Sequence, residues 1–127
     1  NSGRNGMTVE LAKMAQECGT KVIAFTNPNH PAGSKSRHSS GKYLFDFSDV
    51  VIDSCTGPGD AHFYVEEANT GMGATSTMAG AFVAQTISIL LAKKYQQAGL
   101  KPPVFKSSNV DGGDEWNKEL FAKYYGV

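Results

Sequence analysis

Apolar residues recur at helical spacing early in the chain. Met7, Leu11, Met14, Ala15 and Cys18 fall on one stripe, with Glu10, Lys13, Gln16 and Glu17 on the other side, which predicts a helix over residues 7–18. Asn5 stands at the N-cap position and Gly19 just past the helix end, where a left-handed residue closes the last turn. The pattern changes at Lys21-Val22-Ile23-Ala24-Phe25-Thr26, a continuous apolar run. That is how a parallel strand covered on both faces reads, so a buried strand is expected over 21–26. Asp49-Val50-Val51-Ile52-Asp53 repeats the signal over 49–53. Between them, residues 27–41 are rich in Asn, Pro, Gly and Ser and predict a loop, followed by a short helix over 42–48.

Residues 56–73 open on Gly57-Pro58-Gly59 and close on Gly71-Met72-Gly73. They read as a loop too long for a simple connector, which favours a functional role. A long helix is expected over 75–98 with Gly99 as its stop. It is apolar nearly all round as far as Leu91, which predicts cover on more than one face, while Lys93, Lys94, Gln96 and Gln97 mark a solvated end. Pro102-Pro103 leads into an expected third strand over 104–107. A turn at 111–113 and Asp114 as a cap then start a last helix bearing Trp116, Leu120, Phe121 and Tyr124 on its apolar face. Helices alternating with strands predict an α/β class, an open parallel sheet with helices on both faces. No repeat or internal boundary is visible, and the length suits one domain.

Charge is balanced, with 12 Lys plus Arg against 12 Asp plus Glu, so neither nucleic acid nor an acidic membrane is expected as a bulk electrostatic partner. The apolar stretch 75–92 is interrupted by Gln85, Thr86 and Ser88 and reads as a buried helix rather than a membrane span. Cys18 and Cys55 are too few and too far apart for a disulfide framework. With no apolar leader at Asn1-Ser2-Gly3-Arg4, reduced thiols in a cytoplasmic protein are expected.

In an open parallel sheet, ligands bind at the carboxyl ends of the strands. Residues 1–5, 26–40, 55–73 and 107–114 fall there. Ser2-Gly3-Arg4-Asn5 precedes a helix start, where free N–H groups and the dipole attract an anion, and Gly3 would allow close backbone approach. Thr75-Ser76-Thr77 repeats the arrangement at the long helix. Ordinary capped turns account for either one alone, whereas two helix starts on one sheet edge would converge on one phosphate. The three His and the nearby Asp residues lack metal-ligand spacing, so neither metal nor cofactor is expected. Asp111-Gly112-Gly113-Asp114-Glu115 lacks the ligand order of a calcium loop.

Asn1-Ser2-Gly3-Arg4-Asn5 resembles the tail of the Ser-x-Ser-Gly-x-Thr/Asn motif of sugar isomerase (SIS) domains. Val22 to Asn27 is similar to their third strand, Ser48-Asp49-Val50-Val51-Ile52 to the entry of their fourth, and Gly73-Ala74-Thr75-Ser76-Thr77 to the start of their long central helix. Ser36-Arg37-His38-Ser39-Ser40-Gly41-Lys42, Pro58-Gly59-Asp60 and Asn109-Val110-Asp111-Gly112-Gly113-Asp114-Glu115 resemble a narrower bacterial group, the UPF0309-type proteins. The resemblance implies a flavodoxin-like three-layer fold, with residues 1–127 as the C-terminal part of a single SIS domain shortened to about three strands. The third SIS strand would then be left as a bare edge.

It further implies a phosphorylated sugar as ligand. Asn1, Ser2, Gly3, Asn5, Ser76 and Thr77 would hold the phosphate, and Arg37, Ser39 and Asp60 would touch the sugar. For an aldose–ketose isomerase the base would be Glu67 or Glu66, assisted by His38, with Asp60 and His62 also on the expected ligand edge. Solvated loop carboxylates, and a loop-pinning role for His38, are the plainer alternatives. The resemblance also implies a homodimer or higher homo-oligomer. It leaves open a non-catalytic phosphosugar-sensing module and an amino-sugar-phosphate lyase or etherase.

Overall fold

The computed structural model describes residues 1–29, 34–57 and 59–126. Its contacts group the chain into two compact units, Asn1–Val83 and Ala84–Val127.

The first unit begins with helix α1 (Gly6–Glu17). Asn5 caps it as expected, its side chain accepting from the Met7 amide at 3.1 Å. Gly19, at φ +74°, closes it with bonds from Gly19 N to Gln16 O (2.8 Å) and from Thr20 N to Ala15 O (2.9 Å). The expected apolar stripe, however, faces outward. Met7, Leu11 and Met14 are 76%, 61% and 51% exposed, while Val9 (0%) and Ala12 (6%) are the buried positions. Close approach decides this. Gly6 sits against the backbone of Arg37, where a Cβ would come within 3.1 Å of the Arg37 carbonyl oxygen, so the first turn lies close to the loop bearing Arg37 on the side of Val9 and Ala12 rather than on the side of Met7.

Strands β1 (Ile23–Thr26) and β2 (Val50–Asp53) pair in parallel, with Ile23 opposite Val50 and Thr26 opposite Asp53. Asp49 fastens their starts, accepting from Lys21 Nζ at 2.7 Å and from the Val22 amide at 2.9 Å. A 3-10 turn, Leu44–Phe47, lies between them in sequence, where a short helix was expected.

The expected loop over 56–73 is instead largely an antiparallel hairpin, β3 (Ala61–Val65) and β4 (Thr70–Ala74), joined by a 3-10 turn at Glu66–Ala68 and a left-handed Asn69. The glycines that suggested a loop serve the pairing. At Gly71 a Cβ would come within 2.7 Å of the Ala61 carbonyl oxygen across the hairpin.

Helix α2 (Thr75–Gln97) runs from the first unit into the second and ends before Gly99, as expected. Its expected cover is not found, for none of its residues is buried. Met78, Phe82, Ile87, Ile89, Leu90 and Leu91 are exposed. An apolar circumference records a demand for cover, and the described residues do not supply it. By length and composition α2 is the one helix among the described residues that could cross a bilayer. Gly80, however, packs on the ring of Phe25 in β1, which ties the start of α2 to the sheet.

In the second unit the expected third strand is absent among the described residues. Pro102 and Pro103 have no amide to donate, and Lys106 spends its backbone groups on a side chain. Lys106 N donates to Asn117 Oδ1 (2.9 Å), and Asn117 Nδ2 donates to Lys106 O (2.8 Å). Helix α3 (Gly113–Tyr125) starts from a left-handed Gly112, so Asp114 lies in its first turn rather than at the cap. Leu120 and Asn117 are buried. Trp116 donates Nε1–H to Val104 O at 3.0 Å, and the Lys101 and Lys106 ammonium groups lie over its ring. The architecture is thus mixed α/β with three helices and two small sheets. Only β1 and β2 form the parallel part, and the described residues do not build a three-layer sheet.

Candidate ligand site at the ends of the parallel strands

The carboxyl ends of β1 and β2 carry a buried polar cluster made of Thr26, Asn27, Ser54 and Thr56. Asn1 ties it together. Its carbonyl oxygen accepts from Thr26 Oγ1 (2.5 Å) and from Asn27 N (3.0 Å). Its side-chain oxygen accepts from Ser54 Oγ (2.8 Å) and Thr56 Oγ1 (3.0 Å), and those two hydroxyls are 2.9 Å apart. Asn27 Nδ2 donates to the Thr56 carbonyl. The Asn1 amide nitrogen is buried without a hydrogen-bond partner, leaving a spare donor in the cluster. Gly3 makes this packing possible. At φ +58° it is buried, and a Cβ there would come within 2.8 Å of Thr26 Oγ1. Cys55, between Ser54 and Thr56, is held at φ +52° with its amide on Asp53 Oδ1 (2.8 Å), an unfavourable conformation for a residue with a side chain.

The two helix starts belong to separate hydrogen-bonded groups. Asn5 is used as the α1 cap, and Ser2 is half-buried beside Gly3. At α2 an internal anion is already in place. Asp60 Oδ1 accepts from Ser76 N (2.7 Å) and Thr75 Oγ1 (3.2 Å), and Oδ2 accepts from Ser76 Oγ. These bonds, led by the Ser76 hydroxyl, hold the Asp60 carboxyl below its ordinary pKa. Asp60 therefore acts here as a side-chain cap on α2, itself strained at φ +64°. Thr77 is exposed.

A second cluster gathers on the loop after β1. His38 Nε2 lies 2.5 Å from Glu10 Oε2, and His38 Nδ1 lies 2.7 Å from Ser40 Oγ. The His38 bond, the largest influence on it, lowers the pKa of Glu10. Arg37 is exposed, its amide donating to Arg4 O at 2.9 Å, and Ser39 is exposed. Glu66 and Glu67 sit on the exposed hairpin turn. His62 is exposed with its ring against Gly57. His30 and Pro58 lie outside the described residues, among which no group of side chains could hold a metal.

Thr26, Asn27 and Thr56 fall in the segments expected at the ligand edge but are not singled out there, and Ser54, Glu10 and the link to Ser40 give no signal in the sequence. Threonine at a strand end is too common to flag. Glu10 looked like one more solvated position on the polar side of α1.

No protein-family model matches the chain. It is 44% identical over 98% of its length to a UPF0309 protein of Halalkalibacterium halodurans, 40% identical over 97% to one of Listeria innocua, and 36% identical over 97% to one of Streptomyces coelicolor. It covers 51%, 50% and 49% of those proteins respectively, so the chain spans about half the length of the relatives it matches. Along nearly all of its length, this chain is therefore similar to about half of a UPF0309 protein.

Proposed function

We propose that the chain is a cytoplasmic phosphosugar-binding module of SIS type, within an aldose–ketose sugar-phosphate isomerase. The observation that carries the reading is the buried polar cluster of Asn1, Thr26, Asn27, Ser54 and Thr56 at the carboxyl ends of two parallel strands. Open α/β sheets take their ligands there. Clustered hydroxyls and amides with a spare donor suit a polyhydroxylated ligand.

In this reading the phosphate rests near Ser2 and Asn5 and reaches Ser76 and Thr77 once Asp60 gives way. Arg37 and Ser39 meet the sugar. Glu67 or Glu66 removes the proton between adjacent carbons, with His38 assisting. The exposed apolar residues of α1 and α2 support assembly as a homodimer or higher homo-oligomer. The second reading, a phosphosugar sensor, is favoured by the exposed position of Glu66 and Glu67 on the hairpin turn.

Calorimetric titration of the chain with a panel of hexose and amino-hexose phosphates tests the binding, with Thr56→Val as the control that removes a cluster hydroxyl. Binding weakened about tenfold or more by Thr56→Val supports the site. Turnover lost in Glu67→Gln or Glu66→Gln selects the isomerase, and binding without turnover selects the sensor. Absence of binding to every sugar phosphate rejects both.

A further inference from the structure

Beyond sugar binding, the structure assigns Glu10, His38 and Ser40 to an activated-serine relay in which Ser40 Oγ is a nucleophile toward carboxylic esters. The inference does not rest on the phosphosugar reading: none of the strand-end cluster takes part, and His38 is the one residue named in both.

The backbone amide of Ser40 favours one tautomer of His38. His38 Nδ1 receives the Ser40 amide N–H at 3.2 Å, so that nitrogen is an acceptor. The ring proton is then on Nε2 and points at Glu10 Oε2, 2.5 Å away. Ser40 Oγ already accepts from the Lys42 amide at 3.2 Å, which leaves its own hydrogen free to point at His38 Nδ1, 2.7 Å away. Hydroxyl, imidazole and carboxylate thus stand in the order of nucleophile, base and orienting anion.

The exposure follows the same order. The His38 side chain is 7% exposed and shielded, with the ring of Phe47 edge-on at 6.5 Å. Ser40 is at the surface, and next to it Gly41, at φ +72°, has open space where a side chain would be. A substrate can reach the hydroxyl without entering the base's pocket. The loop is also held before any ligand arrives. Arg37 N bonds Arg4 O (2.9 Å), His38 N bonds Ser36 Oγ (3.1 Å), Ser36 Oγ bonds Lys42 O (2.6 Å), and Gly41 N bonds His38 O (2.9 Å). Positioning of this kind removes part of the entropic cost of reaction.

The step balances on these groups. Ser40 Oγ bonds to the ester carbonyl carbon as its proton passes to His38 Nδ1, and Glu10 stabilises the imidazolium. The carbon–oxygen bond to the alcohol then breaks, and the alkoxide leaves with the proton from Nδ1. Water, deprotonated by the same nitrogen, releases the carboxylate and restores Ser40.

The test uses the full chain with a fluorophosphonate probe and with p-nitrophenyl acetate. The expected result is a single adduct on Ser40, located by peptide mass spectrometry, and ester hydrolysis that Ser40→Ala abolishes. His38→Gln and Glu10→Gln should slow labelling by about 100-fold, the usual contribution of a general base. Ser40→Ala also removes the bonds of Ser40 Oγ to Lys42 N and His38 Nδ1, so its melting temperature is measured alongside and should stay near the native value, and Glu10→Asp should restore part of the rate lost in Glu10→Gln. An unlabelled Ser40 in the native chain, or a Ser40→Ala chain that hydrolyses the ester at the native rate, overturns the assignment. So does a loss in His38→Gln that tracks melting temperature alone.

Discussion

Asp60 shows how one side chain can take the place expected of a ligand. Its carboxylate satisfies the amide and hydroxyl donors at the start of α2, where a phosphate was expected. Replacing it with Asn keeps one acceptor but removes the charge that the helix dipole favours. Asp60→Asn should cost about 1 kcal/mol, read as a shift in a urea midpoint. The same substitution tests the pH dependence. The Asp60 carboxyl is held below its ordinary pKa, so its stabilisation is present above the usual carboxylate range. It is lost as pH falls through the lowered folded value. The native chain should therefore lose stability on the acid side, and the Asp60→Asn chain should lose less over that interval. Glu10, shifted in the same direction by His38, adds a limb of the same sign.

At the scale of elements, α1 separates apolar character from burial. Val9 is fully buried while Leu11, two positions on, is mostly exposed. Val9→Ala should then cost about 2 kcal/mol in thermal or urea unfolding, and Leu11→Lys should stay within about 0.5 kcal/mol. The reverse order would mean that the helix packs on its apolar stripe. In the second unit, Asn117 does the work of a neighbouring strand, bonding both backbone groups of Lys106. Asn117→Leu, close in volume, leaves those groups unpaired. It should cost about 1–3 kcal/mol, with faster amide exchange at Lys106 as the local readout. The hairpin escaped detection because its glycines read as loop punctuation. His62-Phe63-Tyr64-Val65 had strand-forming side chains, but only the cross-strand approach to Ala61 explains why Gly71 has none.

For the molecule as a whole, exposed apolar surface is the dominant fact. Large residues on α1, on both parallel strands and along α2 are open to solvent, and patches of that kind mark interaction surfaces. Two parallel strands are also fewer than a self-sufficient sheet needs. The relatives are about twice as long as the region they share with this chain. We expect the isolated chain to self-associate, with light scattering giving a mass above 13.6 kDa that falls when Met78 and Phe82 are both replaced by Ser. A monomer with unchanged mass in the variant would remove the case for assembly through α2.

Local chemistry determined much of this protein. Caps at Asn5 and Gly19, the stop at Gly99 and the two apolar runs that become β1 and β2 all follow from residues within a few positions of one another, because backbone preference and side-chain capping act at short range. What the tertiary structure alone decided lies between distant residues. It chose the buried face of α1, put Asn117 in place of a third strand, set Asp60 on α2, joined Asn1 to Ser54 and Thr56, and brought Glu10 to His38. Those outcomes depend on which polar group finds a partner when its neighbours are fixed in space, and no window along the chain contains both partners.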